Sequence, residues 1–236
     1  MARVMFRMPP MGSAATVMAV TLIAASVVVA IFKPLAIYAY LVPEEIFSHF
    51  FLWQLITYGF VEATPLGVIF GGLIVWSIGG ALETMWGRAR FLRFSFGILV
   101  AAGVATILLA WALPSLVARG YPGGSVLTGA LWVGYGLHIG RSQANFWGLP
   151  MTGNMLALLG AGFVFLNAAF GGLHMVIPEA FALLFTWMVM RLGGPGDLLT
   201  RLRSWQLERD LKKRSAHLRR LDGGRSSGRG SDKYLH

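Results

Sequence analysis

The sequence predicts an all-α fold of the polytopic membrane class, a bundle of six helices with a long loop after the first. Three observations carry this reading. Hydrophobic residues make up 56% of the 236-residue chain and charged residues 13%, with a mean hydropathy of +0.65, which is far too apolar for a soluble domain of this length. The apolar residues fall into runs close to the roughly 20 needed to cross a bilayer. The arginines between the runs collect on one side of the resulting topology. Cysteine is absent, which excludes disulfides, thiolate catalysis and Cys-based metal sites. No GxGxxG, P-loop, HExxH or acidic metal cluster occurs, so no cofactor and no metal is expected.

Residues 1–13 form an N-terminal segment carrying Arg3 and Arg7. The uncharged run Ala14 to Phe32 is span 1; at about nineteen residues it is longer than the apolar region of a cleaved secretory signal. Lys33 and Pro34 end it. Leu35 to Thr64 mixes Glu44, Glu45, His49 and Glu62 with Phe50, Phe51, Leu52 and Trp53, a composition suited to an interfacial, partly immersed loop in which Glu62 is solvated. A break at Thr64-Pro65 introduces span 2, Leu66 to Met85, with glycines at 67, 71, 72, 79 and 80 that permit close helix packing. Span 3 runs from Phe91 to Leu113. The stretch Gly120-Tyr-Pro-Gly-Gly124 makes a tight turn into span 4, Ser125 to Ile139. Span 5 covers Leu149 to Phe170 and span 6 Met175 to Leu192, closing a membrane domain at 14–192.

Six spans put both termini on one side. Arg3, Arg7, Arg88, Arg90, Arg93, Arg141 and the C-terminal tail share that side, against Lys33 and Arg119 on the other, and the positive-inside rule makes it cytoplasmic. The expected setting is a bacterial inner membrane. Of the 20 Lys and Arg residues, 11 follow residue 192, with five acids among them, so most of the net charge of +10 belongs to the tail. Residues 193–222 read as a basic amphipathic cytoplasmic helix, with Leu207, Leu211, Leu218 and Leu221 at helical spacing and Glu208/Lys212 and Asp210/Arg214 as i,i+4 pairs. Directly after a membrane span, such a helix suits anionic lipid head groups rather than nucleic acid. Residues 223–236 have a disordered composition.

The stretch from Trp53 to Gly87 holds the most specific pattern: an aromatic start, WQLITYGF, then the glycine-rich helix, then Gly79-Gly80-Ala81-Leu82-Glu83 and Trp86-Gly87. In order and spacing it resembles the rhomboid superfamily of intramembrane serine proteases and their inactive relatives. The resemblance covers residues 14–192 and implies a Ser–His dyad, the serine in a GxSG motif at the start of span 4 and the histidine on span 6, with oxyanion donors partly from a His and an Asn on span 2. Here the span 4 match is Gly123-Gly124-Ser125-Val126. The serine is present, but Val126 replaces a glycine that would let span 6 approach, and a Ser after a glycine turn is also an ordinary N-cap. Counting back from Glu83 puts Gly71 and Gly67 at the Asn and His positions, so both side-chain oxyanion donors are missing.

On span 6 two registers compete. His174 in GGLHMV is the nearest histidine, but Ile177 and Phe181 then stand where the resemblance implies small residues. The other register puts Glu179 at the base position and Ala182 and Thr186 on the packing face, with Pro178 ending or kinking a turn. Glu179 is an acid inside the helices and away from their ends, hence a functional candidate, or else a hydrogen-bond partner of Ser125 or Tyr135. Glu83 with Arg88 or Arg90 is expected to fix the turn between spans 2 and 3. Asn154 and Asn167 suit interhelical hydrogen bonds. Three functions stay open: an inactive rhomboid relative binding transmembrane segments of clients, an active protease using Ser125 and His174, and a small transporter or ion pathway around Glu179.

Overall fold

The computed structural model describes residues 12–146 and 149–192. The N-terminal arginines Arg3 and Arg7 and both tail segments, 193–222 and 223–236, lie outside the described residues. The chain is an α-helical membrane protein in which four helices are long and apolar enough to cross a bilayer. These are α1 (Ala14–Ile31), the continuous helix Pro65–Trp86, α7 (Arg88–Ala112) and α9 (Gly153–Gly171). Two further helices, α8 (Gly124–Ile139) and α10 (Ile177–Leu192), have 16 residues each, short of the roughly 20 that span a typical bilayer. Large apolar side chains stand exposed all round, among them Trp111, Leu158 and Phe170, as expected where the solvent is hydrocarbon.

Ser13 caps α1 by accepting from the Thr16 N–H. The same helix start is also held from a distance: the Glu83 carboxylate accepts from Ala14 N at 3.0 Å and Ala15 N at 2.9 Å. A carboxylate there satisfies two donors that a helix start leaves without partners and meets the positive end of the helix dipole. Glu83 therefore does not hold the turn between spans 2 and 3 through arginine. Among the described residues no ion pair joins it to Arg88 or Arg90, and Arg90 instead lies over the Trp86 ring, 5.7 Å from its centroid.

The loop predicted between spans 1 and 2 has helical structure of its own. It folds into α2 (Ala36–Ala39), α3 (Pro43–His49) and α4 (Gln54–Thr57), fastened by the fully buried Gln54. That side chain donates to Ile37 O at 2.7 Å and accepts from Val42 N at 2.9 Å, which closes the loop on itself. Leu41 and Tyr121 then exchange backbone hydrogen bonds, tying the loop to the turn before α8. Span 2 consists of α5 (Pro65–Ile74), a π turn at Val75–Gly79 and α6 (Gly80–Trp86). Thr64 caps it by accepting from Gly67 N, and Pro65 sits at the first position, where its missing N–H is harmless.

Span 5 was expected from Leu149. Instead a hairpin of β1 (Gln143–Phe146) and β2 (Leu149–Thr152) comes first, and α9 starts only at Gly153, where Thr152 caps it by accepting from Met155 N. Helices α8 and α9 pack backbone to backbone. A Cβ on Gly136 would lie 2.5 Å from Ala157 N and 2.6 Å from Gly153 O, so glycine is required there. The buried residues of α10 are Pro178, Glu179, Ala182 and Thr186, one narrow stripe on a helix otherwise half-exposed.

Candidate functional site

The starts of α5, α8 and α10 and the end of α9 meet at one end of the bundle, opposite the end that carries Arg88, Arg90, Arg93, Arg141 and Arg191. The last part of the loop, 58–62, lies across this end. Gly123 N donates to Tyr58 O at 2.9 Å and Gly124 N to Val61 O at 3.0 Å. A Cβ on Gly123 would collide with the Tyr58 ring, and one on Gly124 would sit 2.5 Å from Glu62 Cγ. The two glycines are thus demanded by the approach of the loop, and their N–H groups are spent on it.

This places Ser125 as the second residue of α8, not as its N-cap; Gly123 holds the cap position without a side-chain bond. The serine hydroxyl is free to reach sideways and donates to Glu179 Oε1 at 2.5 Å. Glu179 is 7% exposed, and its other oxygen accepts from Asn167 Nδ2 at 3.5 Å. Asn167 itself is exposed on the flank of α9. Thr128 Oγ1 donates to Ser125 O at 3.2 Å and fixes the first turn of α8. Pro178 lies in the first turn of α10, so it opens that helix instead of kinking it.

Glu62 joins this cluster, contrary to its expected solvation. Its backbone N–H donates to Ser26 Oγ at 2.9 Å, and Ser26 in turn donates to Leu22 O at 2.6 Å, so the loop is anchored to α1 beneath the carboxylate. Burial, and next the negative charge of Glu179, push the Glu62 carboxyl up to about 7, although a backbone hydrogen bond at Ala63 works the other way. Gly67 and Gly71 border the same space: a Cβ on Gly67 would meet Glu62 Oε2 at 2.7 Å, and one on Gly71 would meet Thr128 Cγ2 at 3.3 Å. Neither offers a side-chain donor.

The other residues singled out from the sequence lie apart. His174 is in the turn before α10, its ring folded over Gly172 (φ 90°), and no hydrogen bond connects it to Ser125 among the described residues. Tyr135 is 2% exposed within α8, and Glu179 accepts from Ser125 and Asn167, not from Tyr135. Val126 is buried in the apolar core. What converges is one serine, two glutamates and one asparagine. Such a set can hold a proton or a polar side chain, but it offers a serine nucleophile neither an imidazole base nor side-chain oxyanion donors. Ser26 and Glu62 were missed because their meeting depends on loop packing that no helical spacing encodes.

No curated protein matches this chain. The family described as Eukaryotic integral membrane protein (DUF1751) matches over residues 14–192, and the chain belongs to it. A family of eukaryotic membrane proteins does not fit the bacterial inner membrane expected from the sequence.

Proposed function

We propose that the protein is a rhomboid-like integral membrane protein without protease activity that binds transmembrane segments of client or partner proteins. In this reading α8 and α10 are short fourth and sixth spans, and both termini are cytoplasmic, following the arginine distribution. One observation carries the proposal: the Ser125 hydroxyl is engaged by Glu179, whose second oxygen is met by an asparagine exposed on the flank of the bundle. A serine committed to a carboxylate, with Gly67 and Gly71 at the donor positions, is poorly equipped for acyl transfer. An amide at the flank of a membrane helix is well equipped to hydrogen-bond a polar residue on a passing helix. The competing protease reading would need His174 over Ser125. An ion pathway would need a polar passage, whereas the buried stripe of α10 past Glu179 continues through Ala182 and Thr186.

The test is association in phosphatidylcholine vesicles, measured by energy transfer between the labelled full chain and single-pass model helices. A polyleucine helix carrying one Asn level with Asn167 is expected to associate more tightly than the all-leucine helix. Asn167→Leu should remove that preference, a change of about three- to thirtyfold for one hydrogen bond between membrane helices. Equal association of both helices with both chains would contradict the proposal.

A further inference from the structure

At the arginine end, two cavities run into one another. The first, about 390 Å³, is lined by Gly140, Arg141, Asn154 and Arg191, together with Leu137 and Met190. The second, about 540 Å³, is an apolar slot between α9 and α10 floored by α8, with Leu137, Ala157, Ala161, Leu183 and Trp187 on its walls. Leu137 and Asn154 border both, so the polar chamber adjoins the slot. We infer that this composite cavity is a binding site for one anionic phospholipid, with the phosphate at Arg141, Arg191 and Asn154 and an acyl chain in the slot.

Charge complementarity is the first argument. Arg141 and Arg191 are exposed, and among the described residues neither has an ion pair. Among the described residues, the five acids are placed elsewhere. Glu83, at this end, is held by the Ala14 and Ala15 N–H groups, while Glu44, Glu45, Glu62 and Glu179 belong to the loop and the opposite end. Two guanidiniums beside an amide make a receptor for phosphate oxygens, and basic pockets between membrane helices are where anionic head groups bind.

Depth and shape supply the second. Asn154 lies in the first turn of α9, one of the helices long and apolar enough to span, so the arginines sit at head-group level. From Asn154 to Ala161 the slot follows seven residues of α9, about 10 Å, or two-thirds of the roughly 15 Å of hydrocarbon in one leaflet. A single acyl chain is the occupant that matches both the slot and its charged mouth.

The experiment is native mass spectrometry of the full chain released from detergent micelles containing equal amounts of phosphatidylserine and phosphatidylcholine. Wild type is expected to retain one phosphatidylserine. Arg141→Gln with Arg191→Gln should weaken retention about thirtyfold, from the usual contribution of each basic residue at a membrane surface. Ala161→Phe, which alters no charge, should also abolish it by filling the slot, and Leu158→Trp serves as the second slot-filling variant if Ala161→Phe does not fold. Because the basic tail is intact in every variant, lipid held by the tail would be retained throughout, and that result would overturn the inference. So would loss in the arginine variant alone, full competition by glycerophosphoserine without acyl chains, or equal retention of phosphatidylcholine.

Discussion

Glu83, in α6, accepts hydrogen bonds from two N–H groups at the start of α1; at the other end of the bundle, Glu62 and Glu179 share a crowded space with one hydroxyl, one backbone N–H at Ala63 and one distant amide. The residue type is the same, but the supply of donors is not. Glu83 receives two backbone donors and the positive end of a helix dipole, so its charge holds two spans together. Glu62 and Glu179 face one another with little to neutralise them, an arrangement that costs stability and so marks them as functional candidates. The contrast shows how a carboxylate can be sorted as structural or functional: by counting what donates to it, not by whether it lies within a span.

The largest effect should follow from emptying the well-supplied position. Glu83→Ala leaves the Ala14 and Ala15 N–H groups without their acceptor and removes the charge facing the helix dipole, a loss of about 1–2 kcal/mol. Thermal unfolding of the solubilised chain measures it, and an unchanged midpoint would mean that the capping is incidental.

An effect of opposite sign is expected at Glu62, smaller because this side chain is only half-buried and water screens its charge, and it should depend on pH. Its carboxyl is raised from 4.5 to about 7 in the folded chain. Below pH 4.5 it is protonated in both folded and unfolded states and makes no difference. As pH climbs from 4.5 to 7 the unfolded chain releases its proton first, so stability falls through that window and stays lower above it. Glu62→Gln should therefore melt with wild type at about pH 3.5 and a few degrees above it at about pH 8. A Gln variant that is less stable at pH 8 would show that the charge is needed, and the two ends would no longer differ.

Much of the helical framework could be read from the sequence because hydropathy encodes it directly: span 1 was expected over Ala14 to Phe32 and α1 covers Ala14–Ile31. The hairpin before α9 was not legible, since Leu149 to Thr152 is as apolar as a helix start and only the pairing with Gln143 to Phe146 makes it a strand. At the site, Glu179 stood out as an acid within a helix, and Ser125 was one of two partners considered for it. Glu62 gave no such signal. The room for it is made by Gly124 and Gly67, and glycines in a span look like packing residues whatever they make room for. Likewise the acceptor for the start of α1 lies 69 residues away, beyond any local pattern.

We propose that Ser125, bound to Glu179 and not to His174, is not a nucleophile. Labelling of the purified full chain by a fluorophosphonate tests it most directly, because that reagent reacts with an activated serine whatever the natural substrate. Dyad members and oxyanion donors act as a unit, so wild type and Ser125→Ala are expected to be equally unlabelled. Labelling of wild type that both Ser125→Ala and His174→Ala abolish would contradict the account and make the chain a working serine hydrolase.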